Sequence, residues 1–351
     1  MNPSLYGISH SNRNFADPFY WGKNQFNSSF PVALACYMRD KNVPAVYIRH
    51  GKHSKTYIDA ISFDNVFNTT NKNDLIYFGF EKRFQPFESL VEDDLKSIDL
   101  VVTDNTTQTY LRPIEIKLTT LPDDGTSDGD ESEYGSEIVI RSPTMRYMAL
   151  SMAKSCQNNL NEIRQLFEPS CNKIRNWDNL HEVLKWRDKI ILSLEIFLNQ
   201  YSHYEQPLLM QPIWKTQGKS PTLANNCLDI FVWSDFALSR LFMDSSQERE
   251  ERISRPQRSA LRLARFLYET SCGRKVFQQP IYDGMTYNTQ NDKEFAISGR
   301  KTNAYMRCPR LLKPIIEKSE IKNLILGGGQ KHLSPERRFD AIIFFSKDLF
   351  S

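Results

Sequence analysis

The sequence predicts an α/β (α+β) fold in which a mixed β-sheet core is flanked by long helices. Three observations lead there. Short β-branched segments bounded by turn residues recur along the chain, among them IDLVVT from Ile98 and LDIFVW from Leu228. Helical apolar spacing over longer stretches alternates with them, at 144–167, 177–201 and 255–271. Strands that alternate with helices of this length build a sheet covered by helices.

In chain order, Phe26–Arg39 reads as a helix that stops before Pro44. Ala45–Arg49 and Thr56–Ile61 read as short strands around the basic turn His50-Gly51-Lys52-His53. Pro86–Ser97 reads as a helix with Phe87, Leu90, Val91 and Leu95 on one face. Ile98–Thr103 and Tyr110–Thr119 form a hairpin across the polar turn Asp104–Gln108, with Pro113 expected at an edge or bulge because it donates nothing to a ladder. The span from Leu121 to Glu137 is rich in acids and glycines and reads as a surface loop; its spacing does not follow a calcium-binding loop. Strand Glu137–Arg141 follows, then helices at Thr144–Phe167, with Thr144 a candidate N-cap, and at Trp177–Tyr201. Strands start at Leu208 and Leu228, and helices span Asp235–Met243 and Arg255–Ser271. The tail carries a Gly327–Gly329 hinge and a strand from Arg338. There is no internal repeat, and the expectation is a single domain over 1–351. Its core spans about 56–245, and a basic region spans about 246–351.

Hydrophobic residues make up 40% of the chain and charged residues 25%, which excludes wholesale disorder. The net charge of +3 is unevenly spread: residues 1–150 hold 15 Lys and Arg against 20 Asp and Glu, 151–245 hold 10 of each, and 246–351 hold 20 against 12. The basic surplus therefore lies in the last third, where it suits phosphates. None of the six cysteines forms a CxxC pair, which excludes zinc-ribbon and thioredoxin readings and points to reduced thiols in a cytoplasmic protein. The N-terminus lacks a signal-peptide pattern, and no apolar run approaches the ~20 residues of a membrane helix. P-loop, Rossmann and G-x-S-x-G fingerprints do not occur.

The informative cluster is Asp99, Glu115 and Lys117. Asp99 opens one arm of the hairpin; Glu115 and Lys117 stand two apart in the other and so share a face, with Ile114, Ile116 and Leu118 opposite. In a hairpin the start of the first arm lies near the end of the second, so the three converge. Two adjacent carboxylates repel, and a divalent cation with oxygen ligands, Mg2+ with Mn2+ as a substitute, relieves this. Beside a phosphodiester such an ion activates water and stabilises the leaving oxyanion, and Lys117 offsets transition-state charge. The backbone carbonyl of Ile116 offers another ligand. The pattern [DE]-x-K also occurs at Asp94–Lys96, in a polar stretch read as helix where residues two apart do not share a face, and at Glu320–Lys322, which has no Asp in a preceding apolar strand at hairpin distance.

The segment SIDLVV…LRPIEIKL resembles the Asp…Glu-x-Lys core of PD-(D/E)XK nucleases, with Ile98-Asp99 where the family often has Pro-Asp. The resemblance implies a restriction-endonuclease-like sheet with the metal at Asp99, Glu115 and the Ile116 carbonyl, and Glu88 where some members carry a further acid. The segments Asn2–Phe19, Glu137–Ala153, Gln211–Lys219 and Leu228–Phe242 are similar to restriction endonucleases of the HindVP type. That similarity implies a type II enzyme cutting double-stranded DNA at GRCGYC-like sites as a homodimer, with a cognate DNA methyltransferase encoded separately.

Candidate DNA contacts are Arg258, Arg262 and Arg265, at helical spacing with Arg255; Arg300, Lys301 and Asn303, in a basic loop suited to base edges; and Arg141 and Arg146, near the cut. His50 and His53 have no third metal ligand in sight. The alternatives are another PD-(D/E)XK nuclease, serving repair or recombination, and a non-catalytic DNA-binding protein.

Overall fold

The computed structural model describes residues 23–51, 56–70, 76–117, 119–121, 138–217, 223–245, 253–285, 293–297, 314–321 and 323–324. Helix α1 (Lys23–Asp40) leads into the antiparallel pair β1 (Ala45–His50) and β2 (Thr56–Ile61). Helix α2 (Phe63–Phe67) starts on Ser62, whose hydroxyl accepts from the Asn65 N–H, and ends on Asn68 in the left-handed region. There follow β3 (Ile76–Lys82), β4 (Ile98–Asp104), β5 (Thr109–Ile116), β6 (Thr119–Leu121) and β7 (Ile138–Arg141). Helices α3 (Ser142–Ser155), α4 (Leu160–Cys171) and α5 (Leu180–Tyr201) precede β8 (Pro207–Thr216) and β9 (Leu223–Ser234). Then come α6 (Asp235–Asp244), α7 (Arg255–Ser271), α8 (Gln278–Asp283), β10 (Lys293–Ile297) and β11 (Ile316–Glu317).

The main sheet runs β2-β1-β9-β8-β5-β4-β3, with β11 added on β9 and β6 on β8. It is mixed: β1 with β9 and β5 with β8 are parallel, while β3, β4 and β5 form an antiparallel meander. Both faces are covered, so β8 and β9 read as near-continuous apolar runs. Leu209, Ile213, Phe231 and Trp233 face α3 to α7; Met210, Trp214, Ile230 and Val232 face α1 and α2. Among the described residues no helix is long and apolar enough to cross a membrane.

The structure departs from the sequence reading in several places. Residues 86–97 are not a helix: a 3-10 turn covers Gln85–Leu90, and the chain then extends. The Val276 N–H donates to the Leu90 carbonyl and the Glu92 N–H to the Val276 carbonyl, so a distant segment takes up backbone groups that a helix would have used. The helix expected at 144–167 breaks at Cys156, where Gln157–Asn159 form a 3-10 turn in which Asn158 and Asn159 are weak helix formers. Arg141, not Thr144, takes the N-cap position of α3, and Thr144 is buried one turn in. The strand ending at Arg141 pairs with β10, outside the main sheet. Pro113 opposes Val101 of β4, whereas pairing with β8 begins only at Glu115, so this proline lies where β5 is bonded on one side. The loop 122–137 and the tail elements at 327–329 and from 338 lie outside the described residues.

Candidate active site

The β4–β5 ladder pairs Leu100 with Ile114, so one step further along Asp99 stands opposite Glu115. There the ladder gives way to a side chain: the Ile116 N–H donates to Asp99 Oδ2 at 2.8 Å. Lys117, just past the end of β5, donates from Nζ to Glu115 Oε1 at 2.6 Å. The structure thus brings together the three residues that the hairpin predicted. Glu115 is buried, and Asp99 and Lys117 are half-buried.

Burial and the neighbouring Glu115 charge push the Asp99 carboxyl up to about 7; Lys117 and the Ile116 N–H pull it back, and Glu81 adds to the rise. Burial works against the Lys117 ammonium, but Glu115 and Asp99 outweigh it and raise its pKa on balance, opposed by Arg141. Two carboxylates with a single ammonium leave negative charge concentrated on buried oxygens, which a hard divalent cation would relieve. In a strand a residue's carbonyl points the same way as its N–H, so the Ile116 carbonyl lies on the Asp99 side. Among the described residues no group of three His, Cys, Asp or Glu side chains is set to hold a metal, so the fit rests on Asp99, Glu115 and this carbonyl.

The charges of the site and of the start of α3 act on one another, Arg141 on Lys117 and Glu115 on Tyr147. Tyr147 is buried; its hydroxyl accepts from the Phe84 N–H at 3.1 Å and donates to the Lys96 carbonyl at 3.0 Å. Burial pushes this phenol up to about 12, and the charges of Glu88 and Glu115 both bear on it. Glu88 is exposed on the 3-10 turn.

The HindVP restriction endonuclease family model matches residues 21–350 of the chain. The chain belongs to this family. It is 39% identical to the type II restriction enzyme HgiDI of Herpetosiphon aurantiacus, over 99% of this chain and 97% of that protein. It is 38% identical to the probable type II restriction enzyme HindVP of Haemophilus influenzae, over 100% of this chain and 96% of that protein. No solved structure matches it.

For this member of the HindVP family the sequence missed one acid. The β3–β4 ladder pairs Phe80 with Leu100 and Lys82 with Ile98, which puts Glu81 opposite Asp99. Glu81, Asp99 and Glu115 thus line one row across three strands. Glu81 has φ 47°, a conformation that non-glycine residues adopt rarely and often at functional sites. The only sequence signal was a carboxylate ending the apolar run IYFGFEK.

The proposed DNA contacts divide. Arg141 is exposed at the mouth of α3, and its charge reaches Lys117. Arg146 is a correction: it is 1% exposed, paired with Asp93 and bonded to Gln278 Oε1 at 3.0 Å, because residues 91–94 fold over it. Arg258 and Arg262 are also corrections. Both are buried, since α7 lies in the apolar layer shared with α3 to α6. Arg262 donates to the carbonyls of Tyr282 and Met285 at 2.9 and 2.6 Å. Arg265 is half-buried, its guanidinium 5.0 Å from the Trp177 ring centre. His50 is buried too; its backbone N–H donates to Glu205 and its ring contacts Asn199. Arg300, Lys301 and Asn303, like His53, lie outside the described residues.

Proposed function

We propose that the chain is a type II restriction endonuclease that hydrolyses phosphodiester bonds of double-stranded DNA through a PD-(D/E)XK site. The observation that carries this reading is the convergence of Asp99, Glu115 and Lys117 at the open end of the β4–β5 ladder. Asp99, Glu115 and the Ile116 carbonyl would hold Mg2+, or Mn2+ in its place, with Glu88 as a further acid. When bound, the ion polarises the phosphoryl group and lowers the pKa of a bound water. Lys117 carries a positive charge into a pocket that burial would otherwise keep neutral, and there it orients the attacking water and offsets charge on the transition state. Arg141, next to Lys117, contacts a phosphate beside the cut. The resemblance to HindVP-type enzymes drawn from sequence implies a GRCGYC-like target. Reading a palindrome calls for a homodimer, and a cognate DNA methyltransferase protects the host.

The test incubates the purified protein with plasmid DNA and Mg2+ and sequences the ends. The expected outcome is one short recurrent site, with no scission in EDTA. Cleavage without site preference would favour a repair-type nuclease, and binding without any metal-dependent scission would overturn the assignment.

A further inference from the structure

Gln211 is the one amide in the apolar strand PLLMQPIW, and it is fully buried. Its place in the sheet is fixed by register. Glu115 pairs with Leu209 and Ile116 with Met210; past the break, Thr119 pairs with Ile213. The offset is unchanged, so Lys117 stands beside Gln211, and the Lys117 N–H donates to the Met210 carbonyl at 3.0 Å. Neighbouring strands lie about 4.8 Å apart. Gln211 alternates with Leu209 and Ile213, so it shares the sheet face of Glu115 and Lys117.

Its amide is also oriented. The Trp233 indole N–H donates to Gln211 Oε1 at 3.0 Å. An indole only donates, so the oxygen must point to it, and an amide oxygen can accept two hydrogen bonds. Lys117 sits in the two-residue gap between β5 and β6, and its ammonium is engaged by Glu115. A carboxylate cancels the charge that a phosphate needs from this lysine; a neutral amide oxygen holds an ammonium without cancelling it.

We infer that Gln211 is a positioning residue: anchored by Trp233, its amide oxygen is the neutral acceptor that aims the Lys117 ammonium at the scissile phosphate. This rests on the nuclease reading above. Buried as it is, Gln211 acts through Lys117 and does not touch DNA.

The rival role is merely to satisfy the Trp233 indole, and a double substitution separates the two. Replacing both partners of a buried hydrogen bond by apolar groups of similar shape is close to neutral for stability. Gln211→Met with Trp233→Phe is therefore expected to melt near the wild type and to bind cognate duplex in EDTA with unchanged affinity. Its single-turnover cleavage should nevertheless fall about 10–100-fold, the usual cost of losing a supporting partner. Wild-type cleavage by the double variant would overturn the inference. Gln211→Glu replaces the neutral oxygen by a carboxylate that cancels the ammonium's charge and is expected to cleave as poorly as Gln211→Met; wild-type cleavage by it would also overturn the inference. Should the methionine variants not fold, Gln211→Asn, which withdraws the oxygen by one methylene, is compared with the wild type: equal single-turnover cleavage overturns the inference. Absence of cleavage by the wild-type protein would instead refute the nuclease reading.

Discussion

Substituting Arg146 by methionine removes a guanidinium that ties three segments together. It pairs with Asp93, bonds Gln278 Oε1 at 3.0 Å, and reaches the carbonyls of Asp94 and Val276 at 3.3 Å each. Breaking a buried ion pair from one side costs about 3–5 kcal/mol. Asp93 is 27% exposed and regains some water, which favours the lower end of that range. At roughly 2.1 cal/mol/K of unfolding entropy per residue, a 351-residue chain loses about 0.7 kcal/mol per degree, so Tm should fall by about 4–7 °C. Differential scanning calorimetry reads this directly. Fluorescence anisotropy on a DNA duplex in EDTA, at several salt concentrations well below Tm, should show an unchanged salt slope. An unchanged Tm together with a shallower slope would refute the structural role and restore Arg146 as a phosphate contact.

Four further outcomes are expected. Asp99→Ala, Glu115→Ala and Lys117→Ala should each lower cleavage by a factor on the order of 100 or more with DNA affinity retained, and near-wild-type cutting by Glu115→Ala would sink the site. Cleavage should return after EDTA treatment on adding Mg2+ or Mn2+ but not Zn2+, because the ligands are hard oxygens; rescue by zinc alone would contradict this. Replacing residues 123–136 by a short Gly/Ser linker should leave circular dichroism and cleavage intact, whereas loss of both would show that the loop is part of the fold. Asp235, wholly buried, has its carboxyl pushed up to about 7 by burial, against hydrogen bonds from the Gln206 N–H, the Ser151 hydroxyl and its own neighbour's N–H. A folded pKa raised above the unfolded one gives stability that is present below about pH 4 and lost as pH rises through 7. Asp235→Asn should therefore compare better with wild type in urea denaturation at pH 8 than at pH 5; an equal difference at both would refute the shift.

The hairpin was legible because its logic is local. Asp99 and the Glu115–Lys117 pair lie within one short loop closure, strand alternation fixes their shared face, and no distant contact is needed to bring them together. Helices α6 and α7 were legible for a similar reason: their starts carry Ser234 and Ser254 as N-caps, and Ser254 forms a capping box with Gln257. What failed depended on partners remote in sequence. The stretch 86–97 has helical apolar spacing, yet Val276 claims its backbone and Arg146 claims Asp93. Glu81 joins the acidic row only through the register of β3, a strand absent from the sequence reading, and Gln211 is placed beside Lys117 by a parallel pairing of segments more than ninety residues apart.

The charge profile shows where composition stops being a guide to the electrostatic field. Residues 246–351 hold the basic surplus, but two of the arginines that make it up, Arg258 and Arg262, point inward. Arg262 holds the Tyr282 and Met285 carbonyls and stacks 4.3 Å from the Tyr282 ring, so its charge closes the turn after α8 onto α7. A guanidinium so used contributes to the fold and releases few counterions from DNA. Among the residues of this region whose side chains are described, Arg274, paired with Glu269, Lys275 and Lys318 are exposed, and Arg255 and Arg265 are half-buried. Among the described residues, attraction for a polyanion falls to these and to Arg141, because the carboxylates that would hold the metal repel the phosphate they must approach. Neutralising Arg258 or Arg262 should accordingly lower stability and leave the salt dependence of binding alone, whereas Lys275→Ala together with Arg141→Ala should flatten it.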